Sequence, residues 1–570
     1  MSPNDTRPNF LVIVADDLGF TDPGCFGGEI HTPNIDALGN TGVRFSDFQA
    51  SPACSPSRSM IMTGTSAHLS GLGTIPEFHV GRYSIPEYKD QPAYLGHLSD
   101  RVVTMPELLR DAGYYNVMAG KWHLGATKAH SPKARGFEKS FTFLLGGGNH
   151  HGWEPTLKPE DYKYKPMIRG GRDGLYLDED EWTTNLPEGY YSSDYFADRL
   201  VSYLKDRKAD DERPFFAYLP FQAPHFPLQV SKEYIQKYHG RYDAGPERIR
   251  EERIERLRNL GFIPRDAKPA VFQTYPKRMS NRDWEQRDDL ARKRSARKME
   301  VFAGMVERMD YNIGKVLEYL ESTGQRDNTV IFFLSDNGAE GTQLEAAPAN
   351  RNVIPGLVKY FDNSLENLGA PNSFCWYGNR WAQVGTAPSK LYKFFTHQGG
   401  IRVCSLVSYP KWKRNGIVSH QYCTVMDILP TVLELAGVQH PGQEYKGKPI
   451  EGILGKSWNR YMMAEAENIH DDDTITGWEF IGRQALRKGS WKIVRLPPPW
   501  GTGQWELYDL SSDLAEAVDL REEKPEKLVE MLRHWKEYAE RNGIVDIKTV
   551  EQAYAYQEEE WTESDLEDVV

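Results

Sequence analysis

Four stretches of the chain set chemically capable side chains directly behind an apolar run. Asp16-Asp17 follows Phe10–Ala15, Lys121-Trp122-His123 follows Tyr115–Ala119, His225 follows Pro214–Phe221, and Asp336-Asn337-Gly338 follows Val330–Ser335. The oxygens of Asp16, Asp17, Asp336 and Asn337 suit a hard divalent cation, calcium or magnesium, and no Cys/His spacing points to zinc. An irregular ligand shell would favour calcium. Taken singly, a strand closing in Asp-Asp reads as a turn or helix cap, and Asn-Gly reads as a turn. Four such handovers in one chain point to a shared cleft, because ligands of open α/β sheets bind beyond the carboxyl ends of the strands.

The elements that must position these groups can be read from periodicity. FLVIVA at 10–15 is an unbroken apolar run, as expected of a central strand buried on both faces. Further strands are expected at Val43–Phe48 and in the runs named above, with a loop holding Cys54 after the first of them. Helices are expected at Asn34–Asn40, Thr104–Ala112 and Asp288–Ser322. The alternation predicts an α/β domain with a large mixed, mostly parallel sheet flanked by helices. After about residue 440 the texture changes. Ile481–Arg495 and Trp505–Leu510 read as antiparallel strands around a Pro-Gly-rich turn at Pro497–Gly503. Glu523–Asn542 reads as an amphipathic helix with Leu528, Met531, Leu532, Trp535 and Tyr538 on one face. The expected division is a catalytic domain over 1–440 and a smaller α+β domain over 441–570, which ends in an acidic tail at 558–570.

Composition narrows the function. With 570 residues, one large domain plus a smaller one is expected. A net charge of -12 argues against nucleic acid as a partner. No apolar run approaches a membrane span, and MSPNDTRPNF lacks the pattern of a secretory leader. Five cysteines, odd in number, argue for a reducing compartment rather than a disulfide framework. A cytoplasmic protein with no membrane partner is the expectation. Oligomeric state is not legible.

The segment Cys54-Ser55-Pro56-Ser57-Arg58, continuing to Gly64, carries the decisive pattern. It resembles the Cys-x-Pro-Ser-Arg signature of the type I sulfatases, in which the cysteine is oxidised to formylglycine. A second signature of that family is similar to Gly113-Tyr114 through Gly120-Lys121-Trp122-His123-Leu124-Gly125. HTPNIDAL (31–38), LSDNG (334–338) and YKFFTHQGGIR (392–402) fit as well, so the resemblance runs in order over residues 9 to 440. Blocks such as KYHGRYDAG (237–245) and GFIPRDAK (261–268) look closest to bacterial-type arylsulfatases. Two small departures are Asn116, where many members have Ser or Thr, and Met62, where Leu is usual.

The resemblance implies an alkaline-phosphatase-like fold and hydrolysis of aryl or alkyl sulfate monoesters. It implies Ca2+, with Mg2+ possible, held by Asp16, Asp17, Asp336, Asn337 and an oxygen of the modified Cys54. A hydrated aldehyde has two hydroxyls on one carbon: one attacks sulfur, and deprotonation of the other re-forms the carbonyl and expels sulfate. A serine in that position would be stranded as a sulfate ester. By similarity, Lys121 and Lys393 hold sulfate oxygens, Arg58 orients the hydrate, His123 takes the second proton, and His225 with Lys393 protonates the leaving group. A small sulfate ester is the implied substrate. A formylglycine-generating enzyme, or an anaerobic sulfatase-maturating enzyme, is the implied maturation partner.

Two features stay open at this level. Gly146–Trp153 (GGGNHHGW) reads as a loop near a cleft, where His150, His151 or Trp153 either shapes the leaving-group pocket or packs the loop. A phosphonate monoester or phosphodiester hydrolase of the same superfamily would share metal and nucleophile, and a catalytically silent binder would have lost one of them.

Overall fold

The computed structural model describes residues 7–78, 85–164, 174–207, 211–273, 283–341, 353–498 and 500–547. The acidic stretch 558–570 lies outside them. A ten-stranded sheet is built from β1 (Asn9–Ala15), β2 (Val43–Gln49), β3 (Tyr115–Lys121), β4 (Lys139–Phe143), β5 (Tyr176–Asp178), β6 (Glu181–Thr183), β7 (Phe215–Pro220), β8 (Thr329–Ser335), β9 (Ser405–Ser408) and β10 (Ile417–Thr424). Their spatial order is β10-β2-β9-β8-β1-β7-β3-β4-β5-β6. The central run β8-β1-β7-β3-β4 is parallel, whereas β9, β5 and β6 pair antiparallel with their neighbours. This is the mixed, mostly parallel sheet expected from the alternation of elements.

Alternation along β1 explains why its sequence is apolar from Phe10 to Ala15. Leu11 and Ile13 join one core with Met299, Phe302 and Met309 of the helix Asp289–Ser322. Phe10, Val12 and Val14 join the opposite core with Met60, Ile61 and Met62 of the helix Cys54–Thr63. Because side chains point alternately to the two faces and both faces are covered, every position must be apolar. Strand ends match the expected runs to within a residue or two. The main gain is β3, which runs two residues further to include Lys121.

Past residue 440, Glu444–Tyr445 (β11) and Lys448–Pro449 (β12) form a short ribbon. Trp458 then inserts into the core of the large sheet, with ring centroids 5.1 Å from Phe45 and 5.7 Å from Phe332. The second sheet starts at β13 (Ile475–Phe480), a strand the sequence reading passed over, and continues through β14 (Arg483–Lys488), β15 (Trp491–Arg495) and β16 (Trp505–Asp509). The helix Pro525–Asn542 covers one face, where Leu528, Met531, Leu532, Trp535 and Tyr538 cluster with Leu486, Ile493 and Leu507.

The other face of this sheet docks on the segment that leads to Cys54. The Arg487 guanidinium binds Asp47 of β2 through two hydrogen bonds of 2.9 and 2.7 Å. Trp478 Nε1 donates to the Ala50 carbonyl at 2.8 Å, and Phe480 stacks on Phe394 at 5.2 Å. Burial alone would raise the Asp47 carboxyl, but Arg487 beside it holds it below its ordinary value. A depressed carboxylate adds stability above its unfolded pKa and loses it as pH falls through the folded value. Asp47→Asn should therefore cost about 3–5 kcal/mol at neutral pH by stranding a buried guanidinium. The deficit should narrow below about pH 4, as measured by urea unfolding of both proteins across pH 7 to 3; a deficit independent of pH would contradict this reading.

Candidate active site

Four adjacent parallel strands deliver the chemistry. Register places Ala15 beside Ser335 and Val14 beside Pro220, so the residues after β8, β1 and β7 emerge side by side, and β3 adds Lys121 from the next position. Asp16 follows β1, Asp336 and Asn337 follow β8, and all three are fully buried. The Asp17 amide donates to Asp336 Oδ1 at 3.2 Å, and Asn337 Nδ2 donates to Asp17 Oδ1 at 2.7 Å.

Cys54 opens a helix that is buried on every side, Cys54–Thr63. Its Sγ lies 3.8 Å from Asp17 Oδ1. One turn on, Arg58 sits between two strand ends: Nε donates to Asp336 Oδ2 at 2.8 Å, and Nη1 donates to the Lys121 carbonyl at 2.9 Å. Its Nη2 is 3.6 Å from Asp16 Oδ1. Lys121 Nζ donates to both Asp16 oxygens, at 2.8 and 2.7 Å. Lys393 Nζ bonds Asp17 Oδ2 at 2.8 Å and lies 2.9 Å from Glu340 Oε2. The Lys393 loop is carried close to β8 because Gly338 N donates to Gly400 O at 2.9 Å. A Cβ at Gly338 would lie 1.8 Å from the Gly399 carbonyl, so only glycine fits.

The two histidines flank this cluster. His225 Nε2 is 3.4 Å from Asp17 Oδ2, and its Nδ1–H donates to the Phe226 carbonyl at 2.6 Å. His123 Nε2–H donates to Glu77 Oε2 at 3.0 Å. Asp17 and His123 adopt left-handed φ of 68° and 57°. Such conformations cost free energy for residues other than glycine and concentrate at functional sites.

Electrostatics follow from burial. Asp16, Asp17 and Asp336 place three carboxylates beside the three cations Arg58, Lys121 and Lys393. Burial pushes the Asp16 carboxyl up to about 8 against the pull of Lys121, with Asp336 and Asp17 adding to the rise. Asp17 goes the other way, because Lys393, His225 and Lys121 together outweigh its burial. Burial pulls the His225 imidazole well down and raises the Cys54 thiol, while Asp17 and Cys54 beside Lys393 hold that ammonium above its usual value against burial.

The cluster fits a divalent cation. Ligand atoms of Asp16, Asp17, Cys54 and Asp336 all lie within 4.8 Å of one another. Asn337 Oδ1 is buried without a partner, and an uncompensated buried acceptor in an anionic cluster suits a hard cation.

The sulfatase family model matches residues 8–438. The chain belongs to the sulfatase family. It is 46% identical over 541 residues to an uncharacterized sulfatase of Schizosaccharomyces pombe, covering 95% of this chain and 94% of that one. It is 36% identical to an arylsulfatase of Klebsiella aerogenes, covering 79% of this chain and 91% of the relative. The crystal structure of Ps i-CgsB in complex with k-i-k-neocarrahexaose has the same fold, with a TM-score of 0.63 at 23% identity over 97% of this chain and 98% of that one. This sulfatase is accordingly a sulfuric ester hydrolase.

Asp16, Asp17, Cys54, Asp336 and Asn337 meet Arg58, Lys121 and Lys393 in one cluster, with His225 against Asp17 and His123 at the flank; Lys393 was marked only by its flanking motif. His150 does not join them. Its Nδ1 faces Ser192 Oγ and its Nε2–H donates to the His225 carbonyl at 2.8 Å, so it braces the backbone of a site residue. Trp153 packs on Phe361 at 5.4 Å. Two members escaped the sequence. Glu77 has no motif around it, and Glu340 sits three residues past Asn337 in a run that reads as a turn. Replacing Arg58 by Met should destabilise the sulfatase by about 3–5 kcal/mol, since Asp336 would lose its buried partner. Equilibrium unfolding of the folded variant measures this; a loss under about 1 kcal/mol would show that the carboxylates do not depend on Arg58.

Proposed function

We propose that the enzyme hydrolyses small aryl or alkyl sulfate esters through a formylglycine made from Cys54, with a calcium or magnesium ion at the carboxylate cluster. One observation carries this reading: Cys54 at a buried helix start shares a space of 4.8 Å with Asp16, Asp17 and Asp336. Asp16, Asp17, Asp336, Asn337 and residue 54 would hold the ion. When present, the ion and the aldehyde hydrate supply an acidified hydroxyl nucleophile and a route to expel sulfate.

The chain's own residues supply the rest. Arg58 ties the helix start to Asp336 and Asp16, which fixes residue 54 against the strand ends. Lys121 and Lys393 lie on the carboxylate cluster as ammonium groups able to bind the anionic oxygens of a sulfate. Lys393 holds a proton at rest and is the natural donor to the leaving oxygen, with His225 beside the same Asp17 carboxylate. His123, bonded to Glu77, receives the proton that frees sulfate.

Cys54 is only 3% exposed, within a helix buried at every position. A maturation enzyme of the formylglycine-generating or anaerobic type would therefore need the segment before it folds.

Mass spectrometry of the tryptic peptide containing residue 54 should show CH2SH converted to CHO in active enzyme. Full sulfatase activity from an unmodified peptide would end the formylglycine reading. Cys54→Ala should fold and lose turnover. The same active preparation should show a higher kcat/KM for an aryl sulfate than for the matching phosphate monoester and diester; the reverse order would make it a phosphorus-ester hydrolase. Chelation should lower the thermal midpoint, and titrating back Ca2+ and Mg2+ separately should identify the ion by the larger recovery.

A further inference from the structure

Glu77 and the first glycine of the Gly146–Trp153 loop have no part in the scheme above, yet they close around His123. Glu77 Oε2 accepts from His123 Nε2 at 3.0 Å, and its Oε1 accepts from the Gly146 amide at 3.1 Å. A Cβ on Gly146 would lie 2.8 Å from His123 Cε1 and 2.9 Å from Glu77 Oε1, so the bare backbone is pressed against both groups. His123 is 2% exposed and Glu77 33%, which places the acid at the rim and the base inside. His123 Nδ1 is buried with no hydrogen-bond partner.

An ionised carboxylate can only accept, so a neutral imidazole bonded to it must carry its proton on Nε2 and its lone pair on Nδ1. Both conditions hold. Burial lowers His123 to about 4 against the pull of Glu77, and the His123 ring and the Gly146 amide hold the partly exposed Glu77 below its ordinary value against the partial loss of its water. We propose that Glu77, backed by Gly146, is a positioning residue that fixes the tautomer of His123 for sulfate release. The inference rests on His123 being the base that ends the cycle. In that step the free hydroxyl of the sulfated hydrate gives its proton to Nδ1 and its O–H pair closes the carbonyl. The bond from the same carbon to the sulfated oxygen breaks, and sulfate leaves as the dianion with that pair. Glu77 stabilises the imidazolium until the proton passes to water at the exposed rim.

Glu77→Gln is the discriminating variant, since its amide can donate to Nε2 and move the ring proton to Nδ1. The matching acid-to-amide change in a Ser-His-Asp triad costs about 10⁴ in kcat, and loss of a general base about 10²–10⁴. Under saturating aryl sulfate, quenched Glu77→Gln should carry one added SO3 on the residue-54 peptide in most molecules, as His123→Ala should, while the parent enzyme does not. Glu77→Asp, which keeps an acceptor, should shift kcat and the sulfated fraction back toward the parent. Gly146→Ala, with every reacting group intact, should also accumulate the sulfated peptide. Accumulation in His123→Ala but in neither Glu77→Gln nor Gly146→Ala overturns the role of Glu77 alone. Accumulation in none of them overturns the reading of His123 as the base.

Discussion

Three carboxylates buried at the ends of neighbouring strands must be neutralised where they stand, and much of the local architecture follows from that demand. Asp16, Asp17 and Asp336 cannot reach water, and isolated buried charge is too costly to persist. Arg58, Lys121 and Lys393 arrive from three separate segments to meet them. Each cation therefore ties a distant part of the chain to the same point: the helix after β2, the end of β3, and the loop before residue 400. Burial still raises the Asp16 carboxyl despite Lys121 and Arg58, with Asp336 and Asp17 adding to the rise. The same electrostatics that organises the fold prepares a cation site and a place for an anionic substrate.

The second sheet belongs to this argument. Among its bonds to the rest of the chain, those to Asp47 and Ala50 and the stacking on Phe394 fall close to Cys54 and Lys393 in sequence. Phe394 N also donates to the Pro52 carbonyl at 2.7 Å, so the two loops are joined to each other beneath the sheet. A proposed nucleophile and a cation carried by separate segments need their spacing held more tightly than the connecting loops alone can hold it. A rigid antiparallel sheet packed on both supplies that constraint, and its outer helix supplies the apolar cover that the sheet needs.

Much of this was legible in the sequence because the site sits where periodicity changes. Apolar strands ending in Asp-Asp, Lys-x-His or Asp-Asn mark both an element and a function, and register in a parallel sheet then brings them together. Cys54, Arg58 and Lys393 became legible through their motifs instead. Glu77 was invisible because its partner is 46 residues away and nothing in local spacing joins them. Glu340 hid in a turn-like run, and β13 hid behind the Ile481-Gly482 turn, where Ile481 takes an unusual φ of 50°. The edge strands β5 and β6 are three residues each, too short for alternation to register. What is set by long-range packing leaves no trace in a window of ten residues.

The surroundings of Cys54 argue about its chemistry without reference to any relative. A thiol is useful as a nucleophile when its thiolate is accessible, near cations and partly exposed. Here burial and the nearby Asp336 and Asp16 carboxylates oppose ionisation, although Lys121 and Lys393 favour it. The neighbouring donors are hard carboxylate oxygens, which prefer cations that bind thiolate poorly. Sulfur is thus mismatched both as a base and as a ligand at the one position where every other group converges. An oxygen on the same carbon removes both conflicts, since it matches the donor set and is acidified by the charge the cluster gathers. The physical inconsistency of a cysteine in this setting is itself a reason to look for oxygen there, and it supports the formylglycine proposed at residue 54.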